Sequence, residues 1–335
     1  MQSTPNHQWI YTYAYEPRQI WEPWETEEFP PKWLEQEANK TAEQVKNLKT
    51  SQTLAFILLA DNHLVENGTW KHTAEAISQL CKRTEINAII HLGDFTDGMA
   101  PKQKTIEYAN IILNDLKQNK MPVHAAIGNH DYNCFNKNPE IFTRHELSEL
   151  YLNKNELNYS VNFPEQNLRF IFLDSYDNNN ALRYGFSMET LNFLSNELEN
   201  SHKAMIFSHL PPMAVLQAWA KEIRGESEIM EILNANSKKI IAFLNGHNHC
   251  DLLYNGNFPI ISINNAKCEY FLEHKPQNAH VPFRKLGEAI QESFDIMLVE
   301  PQQSVVNFIR FGAGQNRQIK NGIAQWSEDY ANLGS

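Results

Sequence analysis

Six short apolar runs limit what this chain can fold into: LAFILLA (54–60), AIIHL (88–92), PVHAAI (122–127), LRFIFL (168–173), KAMIFS (203–208) and KIIAFL (239–244). They have the length and continuity of strands buried on both faces. Between and before them lie amphipathic segments. From Pro31, the residues Leu34, Ala38, Thr41, Val45 and Leu48 share one helical stripe. Ile106, Ala109, Leu113 and Leu116 make a second stripe, and Met188, Leu191, Leu194 and Leu198 a third, with Ser187 as its N-cap. Later runs, PIISI (259–263), FDIMLVE (294–300) and SVVNFIRF (304–311), have fewer helical partners and predict added antiparallel strands. The alternation reads as α/β, with no internal repeat.

At 335 residues the chain can bury the core of one large α/β domain or two small ones. Lys and Arg total 29 against 40 Asp and Glu, a formal charge of −11, so long-range attraction disfavours a nucleic acid partner. Cys81, Cys134, Cys250 and Cys268 show no C-x-x-C spacing, which suggests neither a zinc ribbon nor a disulfide framework and fits a reducing compartment. The first residues lack a basic segment followed by an apolar stretch, and no run is long enough to span a bilayer, so a cytoplasmic location is expected. Residues 1–52 read as an arm plus helix, with Trp9, Trp21 and Trp24 among Pro17, Pro23 and Pro30. The main domain is expected over 53–312 and a C-terminal tail over 313–335.

Several strands run straight into metal-ligand side chains. LLADNHL carries Asp61 and His63, HLGDFTDG carries Asp94 and Asp97, and AIGNHDY carries Asn129, His130 and Asp131. FSHLPP adds His209, and NGHNHCD adds His247 and His249. In an open α/β sheet the carboxyl ends of strands converge on one crevice, so groups nearly two hundred residues apart can meet there. Each alone reads as a turn, a cap or a core histidine. Together they would put carboxylates and imidazoles at one buried point, which costs several kcal/mol without a cation.

In the order DNH, GDFTD, GNHD, SH and GHNH, residues 61–249 resemble the calcineurin-like metallophosphoesterases. The resemblance implies a four-layer αββα sandwich of two mixed β-sheets flanked by helices. It also implies two divalent metal ions, with Asp61, His63 and His249 holding one, Asn129, His209 and His247 holding the other, and Asp94 bridging both. Oxygen and imidazole donors without thiolate suit Mn, Fe, Zn or similar ions and do not select among them. A water activated between the ions would attack phosphorus. His130 would donate a proton to the leaving group, with Asp131 orienting it or, alternatively, capping a helix, and Asp97 would buttress the bridging loop. Cys250, His91, His124 and Asp174 read as structural.

Departures from relatives narrow the substrate. The protein phosphatases of this superfamily place arginines where this chain has Gly98 and Ile127, and purple acid phosphatases use a tyrosine where this chain has Asp97. The remaining resemblance is to a bacterial phosphodiesterase-like branch, which implies hydrolysis of a small phosphodiester. A phosphomonoesterase and a non-catalytic metal-binding scaffold are the alternatives. Segments 132–158, 211–227 and 264–292 are expected to shape the pocket.

Overall fold

The computed structural model describes residues 29–65, 69–267 and 276–327. The tryptophans expected on the N-terminal arm lie outside these residues. Thirteen strands form two sheets among them. In chain order they are β1 Leu54–Leu59, β2 Ala88–His91, β3 Val123–Ala125, β4 Tyr159–Phe163, β5 Leu168–Leu173, β6 Lys203–Ser208 and β7 Ile240–Asn245. β8 Leu252–Asn255, β9 Pro259–Ser262, β10 Ser293–Glu300, β11 Val305–Gly312, β12 Arg317–Lys320 and β13 Ile323–Trp326 complete the set. One sheet has the order β13-β12-β11-β10-β1-β2-β3 and the other β4-β5-β6-β7-β9-β8. Both are mixed: β1, β2 and β3 run parallel, as do β5, β6, β7 and β9, and the flanking strands are antiparallel.

Side-chain alternation turns these sheets into layers. In β1, Phe56 and Leu58 face the second sheet, joining Phe170, Phe172, Phe207 and Leu244 in a core between the sheets. Ala55, Ile57 and Leu59, one residue out of phase, pack outward against the helices Lys32–Leu48, Trp70–Arg83 and Lys102–Lys117. The second sheet repeats the pattern, with Ile171, Leu173 and Ile206 facing the helices Met188–Glu199 and Glu226–Ala235. The result is the αββα sandwich, with helices on both outer faces.

The predicted helical stripes correspond to real buried faces. Leu34, Ala38, Thr41 and Val45 are buried, so the helix expected after the arm packs its stripe on the core. Ser187 accepts from the Thr190 amide as an N-cap, whereas Met188, expected on the stripe, is exposed because it opens the first turn ahead of the packed face.

Beyond residue 312 the chain does not trail away. Residues 317–326 form β12 and β13, joined by Asn321 and Gly322 with φ of 54° and 74°. Asn-Gly with two positive φ values is the turn whose twist matches a two-stranded hairpin. Arg317, fully buried on β12, pairs with Asp251 and Asp295, and Arg310 on β11 reaches the same two carboxylates at 2.6 and 2.9 Å. This network ties the C-terminal strands to the loop that follows His249.

Candidate metal centre

Parallel strands of both sheets deliver their carboxyl ends to one crevice. Asp61 and His63 follow β1, Asp94 follows β2, Asn129 follows β3, His209 follows β6, and His247 and His249 follow β7. The loops are pinned to one another by backbone hydrogen bonds from Asp61 N to Gly93 O and from His63 N to Asp94 O, both 3.0 Å. All seven side chains are buried.

The backbone is bent hard to aim them. Asp61, His63, Asp94, His247 and His249 all have positive φ, between 42° and 65°. A non-glycine residue in that region costs about 1–2 kcal/mol, and such strain clusters at functional sites. Gly128 makes the close approach possible, since a Cβ there would lie 2.1 Å from the Asp94 carboxylate.

The seven side chains fall into two groups that share Asp94. Asp61, His63, Asp94 and His249 bring one ligand atom each within 4.8 Å of one another, and Asp94, His209 and His247 do the same. His63 Nε2 and His249 Nε2 stand 3.0 Å apart, with Asp61 Oδ1 3.5 Å from His249 Nε2 and Asp94 Oδ2 3.7 Å from His63 Nε2. In the other group, His209 Nε2 lies 2.9 Å from Asn129 Oδ1, 3.2 Å from Asp94 Oδ2 and 3.3 Å from His247 Nδ1. Two donors at right angles, each about 2.1 Å from an ion, would stand roughly 3 Å apart, so these spacings suit side chains that would hold one.

His209 shows why a cation fits. Its Nδ1 lies 2.7 Å from the Leu92 carbonyl, which can only accept, so the proton sits on Nδ1. Nε2 then presents a lone pair to two further acceptors, Asn129 Oδ1 and the Asp94 carboxylate. Burial disfavours the imidazolium, yet the Asp94 charge and hydrogen bond raise His209 to about 9. A proton and a cation compete for that position. Burial, with help from the neighbouring imidazoles, pushes His63 and His247 well below the ordinary histidine range, keeping them neutral as ligands must be. Burial opposes the charged form of Asp94, but His209 and His130 hold its carboxyl well below the usual range.

His130 sits beside both groups. Its backbone N–H donates to Asp94 Oδ1 at 2.8 Å, its ring meets that of His63 edge-on at 4.6 Å, and Phe135 stacks on it at 3.7 Å. Nδ1 lies 2.5 Å from the Asp97 carbonyl and must donate, which leaves Nε2 as the uncommitted ring nitrogen.

Asp131 requires a correction. It was expected to orient His130 or cap a helix, and its carboxylate does neither. It accepts from the Asp94, Phe95 and Gly128 amides at 2.9, 2.9 and 2.8 Å, locking the β2 and β3 loops together. The chain turns at Asn129 and His130 into a 3₁₀ helix, which sends consecutive side chains in different directions. His130 is positioned instead by the main-chain carbonyl of Asp97, whose carboxylate lies 3.6 Å from His63 Nδ1.

A cavity of about 290 Å³ opens over these residues. Its wall includes Phe135 and Trp219 from two of the segments expected to shape it, along with Met99 and Tyr184, which sequence reasoning missed. Tyr184 closes the long connection between β5 and the helix Met188–Glu199, and the length of that loop was its only signal. The bystanders are structural. His91 stacks on Phe95 at 3.6 Å, accepts from Gly93 N at Nδ1 and faces Asn62 Oδ1 at 3.0 Å. Buried Asp174 pairs with Arg144. Cys81 and Cys134 are free thiols, and Cys250 is buried.

Residues 54–251 match the family described as calcineurin-like phosphoesterase. The chain belongs to that family. Its clustered His and Asp side chains are donors of the kind that divalent ions take. A manganese-dependent ADP-ribose/CDP-alcohol diphosphatase from Mus musculus is 26% identical over 220 residues, 48% of this chain and 62% of the mouse protein. The chain thus spans less than two thirds of that relative. A dimetal phosphatase from Danio rerio shares the fold with a TM-score of 0.57 at 15% identity, covering 80% of this chain and 98% of that one. GAP50, the anchor in the inner membrane complex of Plasmodium, superposes with a TM-score of 0.55 at 13% identity, covering 84% and 93%. A phosphatase and an anchor therefore share this architecture, and the fold alone does not decide activity. No helix among the described residues is long and apolar enough to cross a membrane.

Proposed function

We propose that this calcineurin-like phosphoesterase hydrolyses a small phosphodiester, with His130 as the proton donor to the leaving group. The observation that carries the reading is that Asp94 belongs to both ligand groups while the adjacent His130 keeps one ring nitrogen uncommitted. Asp61, His63 and His249 would hold one divalent ion, Asn129, His209 and His247 the other, with Asp94 between them. Bound there, the two ions would supply an activated water and neutralise phosphoryl oxygens.

The chain's own residues account for the rest. Asp131 keeps the Asp94 and Asn129 loops in register through three amides. The Asp97 carbonyl holds a proton on His130 Nδ1, so that in the imidazolium form Nε2–H can hand its proton to a departing alkoxide, the group in a diester that most needs one, and the ring returns to the neutral Nδ1–H tautomer. Phe135 and Trp219 line a cavity sized for a small organic ester. The name of the mouse relative supports a small nucleotide-type substrate and manganese as the ion.

The test is a panel of diesters and monoesters assayed with manganese-loaded protein and with His130→Ala. The variant is expected to keep its metals and to lose roughly 10²–10⁴-fold in rate, most with alkyl leaving groups and least with p-nitrophenol. Equal losses across leaving groups, or emptied metal sites, would remove His130 from the proton-donor role. A higher rate on monoesters than on diesters would favour the phosphomonoesterase alternative, and metal binding without turnover would favour a scaffold.

A further inference from the structure

The cavity above the metal centre lacks a feature that an anion site needs. No lysine or arginine among the described residues lines it. Apart from the proposed ligands, Asp97 and His130, its wall is Met99, Phe135, Tyr184 and Trp219. Met99 and Phe135 have nothing to donate. Trp219 has spent its indole N–H on the His247 carbonyl, at 3.1 Å. The Tyr184 hydroxyl has no hydrogen-bond partner among the described residues.

Tyr184 is held rigidly where a donor would be useful. Its backbone forms an antiparallel bridge with Tyr176, and its carbonyl accepts from Arg224 N at 2.9 Å. Its ring packs against those of Tyr176 at 5.4 Å and of His247, a proposed ligand, at 5.5 Å. A phenol hydroxyl is an O–H donor at neutral pH. Tyr184 and Asp94 line the same cavity. A preorganised neutral donor in a partly desolvated site stabilises charge on a phosphoryl oxygen without paying for reorganisation.

We propose that Tyr184 donates a hydrogen bond to a non-bridging oxygen of the reacting phosphoryl group. This rests on the phosphoesterase reading of the same site. The residue would touch substrate directly, and the same contact would bind inorganic phosphate, the charged core of substrate and product.

Tyr184→Phe removes the hydroxyl and keeps both ring contacts, while Tyr184→Leu removes the ring as well. Manganese-loaded full-length protein is assayed three ways: metal content, inorganic phosphate affinity by calorimetry, and turnover of bis-p-nitrophenyl phosphate. Tyr184→Phe is expected to keep its metals, to bind phosphate about 10-fold more weakly, and to lose about 10- to 100-fold in kcat/KM. Phosphate affinity and kcat/KM within twofold of wild type would overturn the proposal. So would a loss of metal in Tyr184→Phe, or a loss of function in Tyr184→Leu alone, since both would make the ring's packing on His247 the relevant feature. Wild-type protein that binds no phosphate overturns it too. Wild-type protein that binds phosphate but hydrolyses no ester would defeat the functional reading, and the phosphate affinities would still decide the role of Tyr184.

Discussion

Asp131→Asn separates the two jobs this residue could have. One carboxylate oxygen accepts from Asp94 N and Gly128 N, and the other accepts from Phe95 N. The amide oxygen of asparagine can replace the doubly used acceptor, which turns its NH₂ toward the Phe95 amide 2.9 Å away. Two buried donors then face each other, and each unsatisfied group costs about 1–3 kcal/mol. Part of this is offset, because burial and the Asp94 charge already push the Asp131 carboxyl up to about 7, and asparagine carries no charge to repel. The net loss should be about 2–3 kcal/mol, a fall in Tm of roughly 5 °C for a domain of this size. Urea and thermal unfolding of the metal-free protein measure it. Rates should fall by a similar factor for good and poor leaving groups, because the site loosens as a whole. Unchanged stability combined with a selective loss on alkyl leaving groups would refute the reasoning and return Asp131 to orienting His130.

Two further perturbations probe other parts of the molecule. Asp94→Asn removes the ligand shared by both groups, so bound metal and activity should fall together, the latter by roughly 10²–10³-fold or more, read by elemental analysis and steady-state kinetics. Burial raises the Glu292 carboxyl to about 7, against hydrogen bonds from Thr73 and Gln291 that lower it. Its folded pKa lies above its unfolded value, so its stabilising contribution is complete below about pH 4.5 and is lost as pH rises through 7, on the order of 3 kcal/mol in all. Glu292→Gln should flatten the stability curve over that window in urea unfolding at a series of pH values, and an unchanged slope would count against it.

The metal centre was legible because its chemistry depends on residue type and on position at strand ends. Asp61, Asp94 and His247 each follow a continuous apolar run, and that topology alone brings them together. What stayed hidden lacked such a run. β4, β8, β12 and β13 are short edge or near-edge strands of four or five residues, and none carries an apolar run longer than three. β12 and β13 did carry a signal in Asn321-Gly322, flanked by RQIK and IAQW, but the buried Arg317 reads as a surface residue until Asp251 and Asp295 are seen beside it. Asp131 was misjudged for another reason. Adjacency to His130 in sequence says nothing about direction when the intervening backbone is a 3₁₀ turn. Tyr184 belongs to no motif, and only folding brings it to the cavity wall.

The central claim is that seven dispersed side chains build one site for two ions around Asp94. The most direct measurement is the manganese content of protein stripped with chelator, reloaded and freed of excess metal. Two ions per chain are expected in the wild type, and fewer in Asp94→Asn. One ion or none in the wild type, or two retained in Asp94→Asn, would contradict the shared-ligand centre.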